Sequence, residues 1–329
     1  MHTKTYLSNP NLPTIQEGYA GNLLINDRFV NHHHIRMKTL ADVMDWQLGE
    51  KPLKKEKKED KYAPALVKNR DLFRSKEDGI WWMGHASFLF RINGITFLTD
   101  PCYANSLVLR RKVGIPCEIS DIQQVDYLLL SHDHRDHLDL PSFQKILKNN
   151  PQATVLTSLR MNRWLKNIIN PTQYQEAGWF QQYQLIRHKD LTITYLPAQH
   201  WCRRYLWDTN YVLWGSFMIE TPEVTIYFAG DTGYNTHFQE IAKLFPKIDV
   251  CLMPIGAYEP PKMMKEAHQN PAEAVQAFHD LKGKIFLPMH YGTYPLADEP
   301  ASAPIKWLES LPIQGKKVIP AVGERVIWT

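Results

Sequence analysis

Cysteine is scarce in this chain: four residues, Cys102, Cys117, Cys202 and Cys251, stand far apart with no Cys-x-x-Cys pair. That spacing excludes a disulfide-built scaffold and suits reduced thiols in a reducing compartment. Long hydrophobic runs are missing too, since no stretch approaches the roughly 18 uninterrupted apolar residues of a membrane span. The opening residues, MHTKTYLSNPNLP, hold no apolar segment behind a basic one. The expectation is a soluble, cytoplasmic protein, with which peripheral contact at a membrane surface stays compatible. Neither sign of charge prevails: 38 Lys plus Arg against 34 Asp plus Glu leave +4, too little to argue for a nucleic acid or a strongly acidic partner. Short repeats and low-complexity linkers are absent. What is present is 329 residues, 44% hydrophobic and 22% charged, enough for a full buried core and incompatible with disordered or fibrous classes.

Residues 1–78 read as an N-terminal arm that packs on the core or extends from it. They are polar and irregular, with His32, His33 and His34 in a row and a mixed charge run, KPLKKEKKEDK, at 51–61. The run reads as a solvated helix or loop. The adjacent histidines do not read as a metal site, because neighbouring side chains in an irregular segment diverge. Residues 79–329 form the main domain. IWWMGHASFLFRI, a turn at Asn93-Gly94 and ITFLTD read as a hairpin. Strands follow at Tyr127–Leu130, Thr154–Leu156, Leu191–Leu196, Tyr211–Ile219, Val224–Phe228, Val250–Met253 and Ile285–Leu287, each an apolar or alternating run bounded by turn residues. Spacings of three and four predict helices at Leu140–Lys148, Arg160–Ile169, His237–Phe245, Pro271–Leu281 and Pro304–Ser310. Strands dominate and helices interleave late in each half, an α/β (α+β) pattern of layered sheets with helices outside.

Directly after the strand DYLLLS comes His132-Asp133-His134-Arg135-Asp136-His137-Leu138-Asp139, three histidines and three carboxylates within eight positions. Neutral imidazole suits zinc, and a carboxylate beside it supplies a ligand or an acid/base group. On an extended turn His132 and His134 point one way while Asp136 and His137 reach a second point. Three later strands each end in a further ligand-type residue: YLPAQHW gives His200, YFAGDTG gives Asp231 and FLPMHYG gives His290. Four strand ends tipped with His or Asp point to a shared metal centre.

These residues resemble the metallo-β-lactamase-fold hydrolases, whose HxHxDH motif and downstream His, Asp and His bind two zinc ions in a four-layer αββα sandwich. The third histidine stands in Pro197-Ala198-Gln199-His200-Trp201-Cys202-Arg203-Arg204 rather than in the GHTxG-like context of lactamases and glyoxalases. With Leu213-Trp214-Gly215-Ser216, Phe228-Ala229-Gly230-Asp231-Thr232-Gly233-Tyr234, Pro254-Ile255-Gly256-Ala257-Tyr258-Glu259-Pro260, Asn270-Pro271-Ala272-Glu273 and His290-Tyr291-Gly292-Thr293, the chain is similar to the N-acylphosphatidylethanolamine phospholipase D family over roughly residues 81–299. The resemblance implies that His132, His134 and His200 hold one zinc, that Asp136, His137 and His290 hold the other, and that Asp231 bridges. It implies two Zn2+ per chain, other divalent metals being admissible, and a hydroxide between them that attacks a phosphodiester. Asp136 is then also the proton acceptor, and His268 stands beside the substrate phosphate as donor or acid.

His85, in MGHASFLF, is a candidate for orienting a ligand or touching substrate, with Asp100 behind the ligands. Tyr258 and Met263, in the loop before His268, are candidates for contact with lipid chains. Trp81, Trp82, Trp201, Trp207 and Trp214 would line an acyl pocket or pack the core. The implied partner is a phospholipid or another phosphodiester; a homodimer is compatible, and without a basic stripe no nucleic acid is expected. Two other functions fit the same residues: a lactonase or β-lactamase-like carbonyl hydrolase, and a non-catalytic binding module stabilised by zinc.

Overall fold

Strands after residue 78 are mostly buried on both faces, and that demand decides the layering. The computed structural model describes residues 3–33, 35–36, 38–106 and 109–328, so His34 lies outside the described residues. A small antiparallel sheet of β1 (Lys4–Leu7), β2 (Asn22–Ile25) and β3 (Arg28–Phe29) comes first, then α1 (Leu40–Leu48) and α2 (Lys54–Glu59). The first large sheet holds β4 (Gly79–Gly84), β5 (Ser87–Ile92), β6 (Ile95–Thr99), β7 (Tyr127–Leu130), β8 (Thr154–Ser158) and β9 (Tyr174–Ala177), with α3 (Leu140–Asn149) and α4 (Asn162–Leu165) in its crossovers. The second holds β10 (Gln181–Gln182), β11 (Thr192–Leu196), β12 (Ser216–Glu220), β13 (Thr225–Phe228), β14 (Val250–Pro254), β15 (Ile285–Met289) and β16 (Lys316–Lys317). Helices α5 (His237–Leu244), α6 (Pro261–Met264), α7 (Pro271–Asp280) and α8 (Ala303–Ser310) join its later strands, and β17 (Arg325–Val326) returns to pair with β4.

Both sheets begin antiparallel and end parallel: β4 to β6 and β10 to β13 alternate in direction, β6 to β9 and β13 to β16 run together. Parallel neighbours need a crossover, which is why the helices sit late in each half. The two-residue period of a strand then sorts the apolar residues into two layers. Ile80, Trp82, Phe88 and Phe90 face inward to the core shared with the second sheet, while Trp81, Met83, Leu89 and Leu98 face outward against Phe143 and Ile146 of α3. Phe238 of α5 and Phe278 of α7 cover the far side, completing helix, sheet, sheet, helix.

Two helices start directly behind strand-end loops. Asp139 caps α3 by accepting from the Ser142 N–H at 3.2 Å, with Pro141 in the first turn. Asn270 and Glu273 form a capping box on α7, with Pro271 at its start. These caps fix where the segments carrying His137 and His268 end.

The structure departs from the sequence reading in several places, among them the helix expected at Arg160–Ile169, of which Asn162–Leu165 forms as α4. The run 80–92 is two strands, not one, because the chain reverses at Gly84-His85, where φ is +96° and +57°. Residues 211–215 are turns rather than the start of β12, and Trp214 is fully buried there with its indole N–H donating to Ala198 O at 3.0 Å. The arm contributes to the core: Leu12, Leu24 and Phe29 belong to the central cluster, and backbone bonds Ile15 N to Phe180 O and Phe29 N to Asn210 O, both 2.8 Å, fasten it. The charge run becomes the exposed helix α2. Truncating the arm's anchor tests this docking: Phe29→Ala is expected to cost about 3–5 kcal/mol in urea unfolding, the range for a buried Phe, whereas a loosely attached arm would give under ~1 kcal/mol.

Candidate metal centre

The site gathers where strand ends of the two sheets meet. After β7 the chain makes a tight turn, with the His137 N–H and Leu138 N–H both donating to His134 O. This turn sends His132 and His134 to one side and Asp136 and His137 to the other. The loops after β11, β13 and β15 deliver His200, Asp231 and His290. Two donor sets result, each with ligand atoms within 4.8 Å of one another: His132, His134, His200 and Asp231, and His85, Asp136, His137 and His290. Asp231 Oδ2 lies between them, 3.2 Å from His137 Nε2, 3.1 Å from His290 Nε2 and 3.8 Å from His200 Nε2. All seven ligand candidates named from the sequence are thus brought together.

Hydrogen bonds on the far side of the rings fix which nitrogens carry protons. The Ser131 hydroxyl gives its one hydrogen to Asp100 Oδ2 at 2.5 Å, so His132 Nδ1, 2.9 Å from the same hydroxyl, is the donor in that pair. His200 Nδ1 faces the Ala267 carbonyl at 2.8 Å and must also donate. In the neutral rings both Nε2 atoms are therefore bare lone pairs, and both point at His134 Nδ1, at 3.0 and 3.1 Å. His137 repeats the pattern: Nδ1 donates to Asp100 Oδ2 at 2.8 Å, while Nε2, buried and without a hydrogen-bond partner, looks at Asp231. Asp231 Oδ1 and His290 Nε2 are buried without partners as well. Lone pairs and carboxylate oxygens converging out of water repel unless something positive stands among them. The residues fit divalent cations of the kind imidazole and carboxylate bind, zinc among them.

Electrostatics divide the two sets. Burial drives the proton affinities of His132 and His200 well below the imidazole range and lowers that of His134. Burial also acts on His137 and His290, but the charges of Asp231 and Asp136 outweigh it, holding His137 well above its ordinary value and His290 at about 9. Burial pushes Asp231 and Asp136 upward, and the neighbouring imidazoles more than reverse it, leaving both well below the carboxylate range. Without cations, protons on His137 and His290 balance the acid pair.

His268 stands over the centre, its ring 5.1 Å from that of His200 and 5.4 Å from that of His290, with Nδ1 3.9 Å from Asp231 Oδ2. It also groups with Asp231 and His290 as a possible donor set. Of the two roles open to His85, its geometry serves the orienting one: it is 1% exposed and its Nε2 lies 2.9 Å from Asp136 Oδ2. Tyr258 packs its ring on Trp307 at 5.6 Å, and Met263 is half-buried on α6; neither is among the donor sets. Trp201 lies edge-on to His134 at 4.8 Å, Trp81, Trp82 and Trp214 are core residues, and Trp207 is exposed. Asn31 escapes any sequence signal: its side-chain amide donates to His200 O at 2.8 Å and accepts from His200 N at 3.1 Å, a contact with backbone that no motif announces.

Comparison with known proteins agrees with this architecture. Residues 96–291 match the family described as beta-lactamase superfamily domain. The chain is 33% identical over 251 residues to an N-acyl-phosphatidylethanolamine-hydrolyzing phospholipase D 1 of Caenorhabditis elegans, covering 72% of this chain and 70% of that protein. It is 32% identical over 243 residues to a mitochondrial protein of the same description in Saccharomyces cerevisiae, covering 70% of this chain and 51% of that one. Igni18, a metallo hydrolase of Ignicoccus hospitalis, superposes with a TM-score of 0.59 at 22% identity, covering 75% of this chain and 96% of that structure.

Two outcomes follow from the geometry. Asp100→Asn, which weakens the acceptor for His137 and Ser131, is expected to lower cation affinity about 10–100-fold in competition with a chelator, as loss of a ligand's outer partner does; unchanged affinity would mean that Asp100 is a bystander. Since the acid pair holds His290 at about 9 and His137 above its ordinary value, a cation competes with protons there, so affinity should rise with pH between pH 6 and 8, about tenfold per unit for the proton displaced from His290. A flat profile would place the cation elsewhere.

Proposed function

Because this chain belongs to the metallo-β-lactamase superfamily of metal-dependent hydrolases, we propose that it is a dinuclear zinc phosphodiesterase of phospholipase D type acting on N-acylphosphatidylethanolamine-like lipids. The observation that carries the substrate class is the 33% identity, over most of both chains, to a relative named for hydrolysing that lipid. His132, His134, His200 and Asp231 would hold one cation, and Asp136, His137, His290 and the same Asp231 the other. Bound there, the pair supplies Lewis acidity that makes water nucleophilic near neutral pH and neutralises charge on a phosphoryl group.

The remaining chemistry belongs to the protein. Among the acids of the centre, Asp136 is the accessible one: its side chain is 15% exposed, against 2% for Asp231 and 0% for Asp100. It is the carboxylate placed to take a proton from attacking water, with His85 Nε2 anchoring one of its oxygens. Besides the ligand His134, His268 is the partly exposed imidazole, 14% exposed where His200 and His290 are 0%. Burial pulls its pKa to about 4, so it meets substrate as a neutral ring with an N–H to offer a phosphoryl or leaving oxygen. Beside His290 a narrow depression with room for about one water molecule is lined by Tyr294, Pro295, Leu296 and Pro304 and by the charged Lys57, Lys112 and Glu299, and the proposed lipid, a phosphodiester with apolar chains, is larger than it. Such a substrate lies in a bilayer, and the protein would meet it peripherally; among the described residues no helix is long and apolar enough to cross a membrane.

The test is product analysis by mass spectrometry. Zinc-loaded protein with N-acylphosphatidylethanolamine vesicles should release phosphatidic acid and the N-acylethanolamine, and Asp136→Asn should slow this by about 10²–10⁴-fold, the range for a lost general base. Opening of an acyl-homoserine lactone or nitrocefin without lipid cleavage would replace this reading with carbonyl hydrolysis.

A further inference from the structure

A second cluster of donors lies outside the hydrolytic centre. His32 and His33, which adjacency in an irregular segment predicts to diverge, instead converge on one carboxylate of α5. His32 Nε2 is 2.8 Å from Glu240 Oε2 and His33 Nε2 is 3.1 Å from Glu240 Oε1. The rings meet edge-on at 4.7 Å, and an aromatic wall holds the first of them: His32 lies 5.9 Å from Trp179 and 5.7 Å from Phe180, both nearly perpendicular. That wall is the physical reason the expected divergence fails.

We propose that His32, His33 and Glu240 bind a divalent cation of the zinc class that fastens the N-terminal segment to α5. Two imidazoles and a carboxylate are an ordinary zinc set, and their donor atoms lie within 4.8 Å of one another. Tetrahedral zinc with bonds of 2.0–2.2 Å separates its ligand atoms by about 3.3 Å, and the donors, all within 4.8 Å of one another, close on that spacing by shifts of at most about 1.5 Å. The side chains are 26%, 29% and 34% exposed, which leaves the fourth position to water. The Thr236 hydroxyl, 3.2 Å from His33 Nε2, sits at the start of α5 and adds a polar neighbour.

The position gives the clamp a consequence. Asn31, the preceding residue, grips the backbone of His200 from both sides. A cation on His32 and His33 therefore stiffens the peptide that sets one of the hydrolytic centre's imidazoles, although the two sites share no donor.

The experiment is a count. Metal-free protein is loaded with Zn2+, dialysed and analysed for retained metal, in wild type, His33→Ala and Glu240→Gln. Wild type is expected to keep one zinc per chain more than either variant, and loading should slow amide exchange over residues 28–33 about tenfold in wild type alone. Equal retention in the three proteins, or the same protection in Glu240→Gln, overturns the site. The count is a difference between proteins that share the hydrolytic centre, so it stands whether or not the lipid is the substrate.

Discussion

The fold's functional region depends on one constraint: imidazole nitrogens and carboxylate oxygens have been carried out of water and pointed at each other. Ser131, Asp100 and the Ala267 carbonyl use up the outer nitrogens of His132, His137 and His200, so the inner ones have no choice of tautomer. Such an arrangement is costly for a bare protein and favourable for one that holds cations. Asp231 occupies the middle, and its position explains why the two donor sets behave as one electrostatic unit rather than two.

Much of this was legible before any coordinates. Each of the seven ligand candidates follows a buried strand directly, and a polar residue of ligand type at a strand's end is a local signal. Strands with helices interleaved late in each half also point to layered sheets. What the sequence concealed was of another kind. His85 reads as an intruder in an apolar strand because Gly84, its turn partner, is a single residue in a long hydrophobic run. Asn31 binds backbone, which leaves no imprint on composition. The convergence of His32 and His33 depends on Trp179 and Phe180, almost 150 residues away, and no local rule could supply that wall.

The arm changes character as a result. Polar and irregular, it reads as packing on the core or extending from it, and in the fold Phe29 is fully buried and the neighbouring Asn31 reaches the hydrolytic centre. A segment with few apolar residues can still be structural when the ones it has are placed in the interior and its amides are matched to partners. Accessibility divides the centre as well: His132, His137, His200, Asp231 and His290 are buried, while the ligand His134 keeps some exposed surface together with Asp136 and His268, the two proposed to meet a substrate.

Each donor set draws from both sheets, and this sets an order of events while the chain is being synthesised. His132, His134, Asp136 and His137 emerge early with the first sheet, but one set is completed only when Asp231 has followed and the other only with His290. A nascent or prematurely terminated chain that stops short of Asp231 therefore carries only part of each ion cage and can close neither. Ion capture becomes a late checkpoint, and a chain that retains its ions has brought its two halves together.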